Sequence, residues 1–314
     1  MSVTDVTLDK PTLEITVGNP DVKLTATIAP ENATDKTVSW SSDKTEFATV
    51  DNQGNVHAVA PGIANITVTT TDGGKTATCA VIVKAALPEG ALSGVFSVSA
   101  TKKVYFSKGN LVATIDATGA PTAWKFATNQ YDYIGEGGAN KTIGKTAGDI
   151  DLFGWSTDAT LNNWGIHTKL SYMSGCTDYI DGNFKDWGTA IDSKGTWRTL
   201  SAEEWQYLFN NHSNKWASVN GVNGYVIAPD GFAGTLADSY TDDAALAADN
   251  LVFLPAAGAR QGSGVAEQGS VGNYWSSEGV NRDAFFVWLR SDLVQHTFLD
   301  RGLGCSVRLV TEVK

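Results

Sequence analysis

The chain has 314 residues, 42% of them hydrophobic and only 18% charged, against about 25% charged in ordinary soluble domains; this length suits about two of them. Its net charge of −11 opposes nucleic-acid binding, which depends on Lys and Arg displacing counterions, and no basic cluster offsets it. No run of about 18 apolar residues occurs, so no segment reads as a membrane-spanning helix.

Met1-Ser2-Val3 opens directly into a strand pattern with no export signal ahead of it. Residues 3–84 then alternate Val-, Ile- and Thr-rich runs with turn residues such as Asn19-Pro20, Asp51-Asn52, Pro61-Gly62 and Asp72-Gly73-Gly74. Val3 to Leu8, Leu13 to Val17, Val22 to Ile28, Thr37 to Ser41, Ala48 to Val50, Val56 to Ala60, Ala64 to Thr70 and Thr76 to Val83 are the expected strands. Short strands at this spacing without a helical period predict a β-sandwich. Cys79 falls inside one alternating run and reads as a small buried apolar residue.

Lys84 to Gly90 breaks the pattern, and the domain boundary is placed between residues 86 and 87. The second region, 87–314, carries nine of the ten tryptophans. Val95 to Val98 and Lys103 to Ser107 read as strands, followed by loop-rich sequence to about Lys194. Ser201-Ala202-Glu203-Glu204 is a capping box, with Ser at the N-cap and Glu at N3, and Trp205, Leu208 and Phe209 follow at helical spacing. This is the one clear helix. Gly224 to Ala228, Leu251 to Leu254, Ala284 to Leu289 and Ser306 to Val310 read as further strands, giving an α+β domain.

The order of motifs in 3–84 resembles the bacterial Ig-like group 2 family. It includes Ile28 to Thr34, Val38-Ser39-Trp40-Ser41-Ser42, Gly54-Asn55-Val56 and Pro61 to Val68. In the second region, Trp197 to Trp205, Phe253 to Arg260, Gly272 to Ser277 and Arg301 to Arg308 resemble the Fibrobacter succinogenes major paralogous domain. That family has the C-type-lectin-like fold in its formylglycine-generating-enzyme branch, and the resemblance is strongest over 197–310. The two together imply a multidomain protein, an all-β Ig-like sandwich followed by an α+β C-type-lectin-like domain. They imply an exported chain at the cell surface, anchored to the outer membrane, in which a stalk presents a head that binds a protein or glycan.

Enzymes of that branch use a pair of cysteines near the C-terminal end. Here only Cys305 lies in that region, and Cys176 is distant, although a Cys176–Cys305 disulfide is one option. The chain is therefore expected to be non-enzymatic, with a formylglycine-generating activity or a pilus or fibre role as the alternatives. The Glu-Pro-Asn and Trp-Asn-Asp calcium motifs of the wider fold are absent from the head. The acidic pairs Asp149/Asp151 and Asp242/Asp243 read as loop carboxylates. His57, His167, His212 and His296 show no metal-ligand spacing, so neither metal nor cofactor is expected.

Ligand contact is expected around Ala284 to Arg290. The resemblance makes Phe285, Val287 and Leu289 the buried positions, and period-two geometry then exposes Phe286, Trp288 and Arg290. Aromatic residues and Arg dominate binding hot spots. Asn281, Arg282 and Asp283 before the run, with Leu293, Gln295, His296 and Phe298 after it, complete the expected surface. The resemblance also implies that residues 279–300 correspond to a segment diversified by retroelements in related proteins.

Overall fold

The computed structural model describes residues 1–118, 120–137, 139–140, 147–155, 184–261, 264–280 and 283–313. It divides into two compact units, Met1–Leu87 and Pro88–Val313.

The first unit is built entirely of strands: β1 (Asp5–Leu8), β2 (Thr12–Thr16), β3 (Val22–Lys23), β4 (Ala26–Ala29), β5 (Val38–Ser42), β6 (Ala48–Val50), β7 (Asn55–Ala58), β8 (Gly62–Thr70) and β9 (Thr76–Lys84). One sheet has the order β2-β9-β8-β5, with β2 parallel to β9; β3-β7-β6 and the β1-β4 pair complete the unit. Alternate residues of β8 and β9, among them Ile66, Val68, Cys79 and Val81, are fully buried between the layers. The run expected as one strand from Val22 to Ile28 is two. Leu24 is buried, its N–H bonded to Gly54 O, and the Asp9 carboxylate accepts the Thr25 N–H, so the chain leaves one sheet and enters the other. Trp40 packs against this core, and Gly54 (φ +83°) leaves room for it: a Cβ there would sit 2.8 Å from the indole.

The second unit contains β10 (Phe96–Ser97), β11 (Lys103–Phe106), β12 (Leu111–Ile115), β13 (Pro121–Phe126), β14 (Gly148–Ile150), α1 (Gly188–Ile191), β15 (Arg198–Thr199), α2 (Ala202–Asn211), β16 (Asn214–Val219), β17 (Val222–Ile227), β18 (Ser239–Tyr240), α3 (Asp243–Ala247), β19 (Val252–Pro255), β20 (Ala259–Gln261), β21 (Gly264–Ala266), β22 (Val271–Val280), β23 (Asp283–Arg290), β24 (Leu293–Asp300) and β25 (Leu309–Glu312). Strands dominate it. The capping box forms as the sequence predicts: Glu204 N–H donates to Ser201 Oγ at 3.1 Å and Ser201 N–H to Glu204 Oε2 at 3.0 Å. Two short helices, α1 and α3, were not expected; Asp242 caps α3 by accepting the Ala245 N–H.

The four tryptophan- and glycine-bearing motifs converge. Trp205 Nε1–H donates to Trp275 O, Ser277 N–H to Leu200 O, Tyr274 O–H to Pro255 O, and Trp275 N–H to Ser306 O. β11, near the start of the unit, pairs with β25 at its end. The sheet β22-β23-β24 lies between two apolar clusters, one around Trp187, Trp197 and Trp275, the other around Trp205, Leu208 and Tyr274.

Candidate functional site

A two-residue turn, Ser291-Asp292, joins β23 to β24, so Arg290 faces Leu293 and the register runs unbroken to Asp283 opposite Asp300. β23 is the central strand and is covered on both faces. Ala284, Phe286 and Trp288 pack into the Trp275 cluster, whereas Val287 and Leu289 pack into the Trp205 cluster.

This geometry corrects part of the sequence reading. Phe286 is not exposed: it retains 6% of its surface, and its ring meets Trp275 edge-on at 6.2 Å. Trp288 is half-buried against the same cluster, with the Arg290 guanidinium 5.3 Å from its ring centroid; Arg290 also reaches Asp292 at 3.3 Å. Phe285, expected inside, is only half-buried and packs at 4.8 Å against Phe298, which is 54% exposed. The reason lies in α2. Its Phe209 ring sits 6.3 Å from His296, and Val294 joins its cluster, but Phe285 and Phe298 lie beyond that cluster. Burial also holds the His296 imidazole below its ordinary pKa.

The expected residues therefore divide between two faces. Asp283, His296 and Phe298 share one with Phe285, while Leu293, Gln295, Trp288 and Arg290 share the other with buried Phe286. Asn281 and Arg282 lie outside the described residues. Val280, 44% exposed and opposite Asp283, was missed. It shares a face with Phe285 and Phe298, an apolar corner of the sheet in which Asp283 stands between Val280 and Asp300. Counting outward from Ser291-Asp292 as a two-residue hairpin would have found the Phe285–Phe298 pair.

The carboxylates weighed as loop acids are engaged in the fold. Asp149 accepts from Thr114 and Lys125, and Asp243 from the Gln130 N–H. Among the described residues no group of three His, Cys, Asp or Glu is placed to hold a metal. Asp151 is fully buried, accepting from Asn140 Nδ2 and Ile134 N–H, both at 2.7 Å. Burial pushes its pKa from 3.8 up to about 6. The folded state then holds more protons than the unfolded state between those values, so this contribution is full below pH 4 and lost as pH rises through 6. The difference is worth about 3 kcal/mol. Urea titrations of the wild type and Asp151→Asn from pH 4 to 7 should show the wild type losing up to about that much relative to the variant; parallel curves would contradict this.

Cys305 is a free, fully buried thiol, and desolvation raises its pKa well above the ordinary value. The Cys176 half of the suggested disulfide lies outside the described residues. Two clefts of about 500 Å³ open elsewhere on the unit, one at Lys103, His212 and Asp230, the other at Trp124, Phe126 and Lys194. In the first, Lys103 pairs with Asp230, and both His212 ring nitrogens lie 2.9 Å from carbonyl oxygens of Ala228 and Ser97.

Residues 2–81, the strand sandwich, match the family described as Bacterial Ig-like domain (group 2). The first unit is an Ig-like domain of that group. Over 84 residues the chain is 45% identical to an Ig-like virion protein of Serratia phage KSP90, covering 26% of this chain and 32% of that protein. Over 111 residues it is 35% identical to an uncharacterized protein of Clostridium acetobutylicum, covering 35% of this chain and 28% of the relative. The chain thus spans about a third or less of the length of either. Among solved structures, surface layer protein SbsC, domains 1–6, aligns at 24% identity over 40% of this chain and 17% of that one, with a TM-score of 0.24.

Proposed function

We propose that this is a non-catalytic, extracellular recognition protein, in which the Ig-like domain acts as a spacer and the second unit is a C-type-lectin-like head binding a protein or glycan. The observation that carries the reading is the partly exposed apolar corner of Val280, Phe285 and Phe298, at one end of a sheet whose central strand is packed on both faces. Surface aromatics held by a fixed scaffold are suited to recognition because little side-chain freedom is lost on binding. The order of the four motifs, and their convergence on Trp205 and Trp275, support the lectin-like reading. The buried Cys305 thiol, held protonated by desolvation, favours binding over thiol chemistry.

Glycan and protein arrays probed with the wild type and with Phe285→Ala/Phe298→Ala test this. Removing two contact aromatics should weaken binding at least about 30-fold. Equal binding by both proteins would remove the corner from the site.

A further inference from the structure

The open edge of β24 bears on what the head would bind. β24 is the last strand of its sheet, and no described strand pairs with its outer side. In a hairpin closed by a two-residue turn, Leu293, Gln295, Thr297 and Leu299 exchange backbone hydrogen bonds with β23. The N–H and C=O groups of Val294, His296 and Phe298 then point outward, and no hydrogen bond to them is found among the described residues. Natural edge strands are usually blunted by Lys, Pro, a bulge or shortness. β24 has none of these: it is eight residues long, reads Leu-Val-Gln-His-Thr-Phe-Leu-Asp, and keeps its register throughout.

Exposed side chains flank this edge on both faces, Phe298 (packed on half-buried Phe285) on one and Leu293 with Gln295 on the other. At one end Asp283 and Asp300 stand directly opposite each other; Asp300 accepts the Gly302 N–H and Arg301 Nε–H donates to the Asp283 carbonyl, but neither carboxylate makes an ion pair among the described residues. Like charges so placed repel and favour an incoming cation. We infer that the β24 edge binds an extended polypeptide segment as an added strand, one carrying Lys or Arg beside an apolar residue. The basic side chain lies at Asp283 and Asp300, and the apolar one against Phe285 and Phe298. Backbone hydrogen bonds supply affinity in this mode and alternate side chains supply specificity. A second copy of the chain fits less well: antiparallel pairing of two β24 edges about His296 would set Asp300 against Asp292 of the other copy, acid against acid.

The inference rests on the recognition reading but has its own test. In the free protein, amide exchange should be about 100-fold faster at Val294, His296 and Phe298 than at Gln295, Thr297 and Leu299; protection of the first three would overturn the open edge. The wild type is then used to select from a displayed library of random twelve-residue peptides. Enriched peptides should combine Lys or Arg with an apolar residue. His296→Pro removes an outward N–H that β23 does not use, whereas His296→Ala keeps it. With both variants folded by circular dichroism, the proline variant should bind at least about 30-fold more weakly than the alanine variant. Equal binding, no enrichment, or wild-type dimerisation abolished only by His296→Pro would each overturn it. Glycan-array binding without peptide enrichment would leave recognition standing and remove the strand mode.

Discussion

Trp275→Ala should lower the stability of the second unit by about 4 kcal/mol, at the upper part of the range for buried aromatics. Trp275 has no exposed surface. Its indole N–H donates to Phe153 O at 2.7 Å, its backbone N–H donates to Ser306 O, and its carbonyl accepts the Trp205 indole N–H. It thus joins the two clusters on either side of the β22-β23-β24 sheet. Truncation would open a cavity in one cluster and leave Phe286 without its edge-on neighbour at 6.2 Å. With a urea slope of about 2 kcal/mol/M, the midpoint should fall by about 2 M with the slope unchanged. Nine of the ten tryptophans belong to this unit, so their fluorescence reports its transition. Trp275→Phe, which keeps most of the volume, should lose less than half as much. A shift under about 1 kcal/mol for the alanine variant would show that the clusters are not coupled through this side chain.

Gly258→Ala should cost more than about 3 kcal/mol, for two separable reasons. The backbone there is left-handed (φ +79°), and a Cβ would come within 2.1 Å of Ala266 O, a backbone atom that cannot swing aside. Gly221 provides the comparison, having nearly the same φ, +80°, but nothing within 4 Å of a Cβ. Gly221→Ala should therefore cost only the left-handed conformation, about 1 kcal/mol. The difference between the two variants, measured by the same urea titration, isolates the steric part. Equal losses would mean that strand β21, which carries Ala266, shifts freely to make room.

The Ig-like domain was legible because its turns are marked chemically. Asp51 to Asn55, Pro61-Gly62 and Asp72 to Gly74 fall between runs whose alternation matches one buried and one solvated face. The departure at Leu24 needed a tertiary contact, the Leu24 hydrogen bond to Gly54, that no local pattern announces. In the second unit, the capping box at Ser201 and the converging motifs could be read from residue order. Which end of β23 is left less covered could not. A central strand with Phe, Val, Trp and Leu on both sides carries no polar alternation to say which face is covered. That depends on how far α2 extends over the sheet, and its ten residues leave Phe298 exposed and Phe285 only half-buried. Interior charge was equally silent. Arg260 and Arg308 are almost wholly buried, Arg260 bonded to Asn140 O and Arg308 to Gln130 Oε1, and burial lowers their pKa values to about 9 and about 10.

The parallel pairing of β2 with β9 has a mechanical consequence for the Ig-like domain. Thr12 to Thr16 runs alongside Ala80 to Lys84 in the same direction, close to the two ends of the domain. Tension applied between those ends loads this ladder lengthwise, so its hydrogen bonds must yield together. In the second unit, antiparallel β11 and β25 bring Val104 beside Glu312, and the same tension would open that pair one bond at a time from its end. Under load the Ig-like domain would hold while the second unit gave way first.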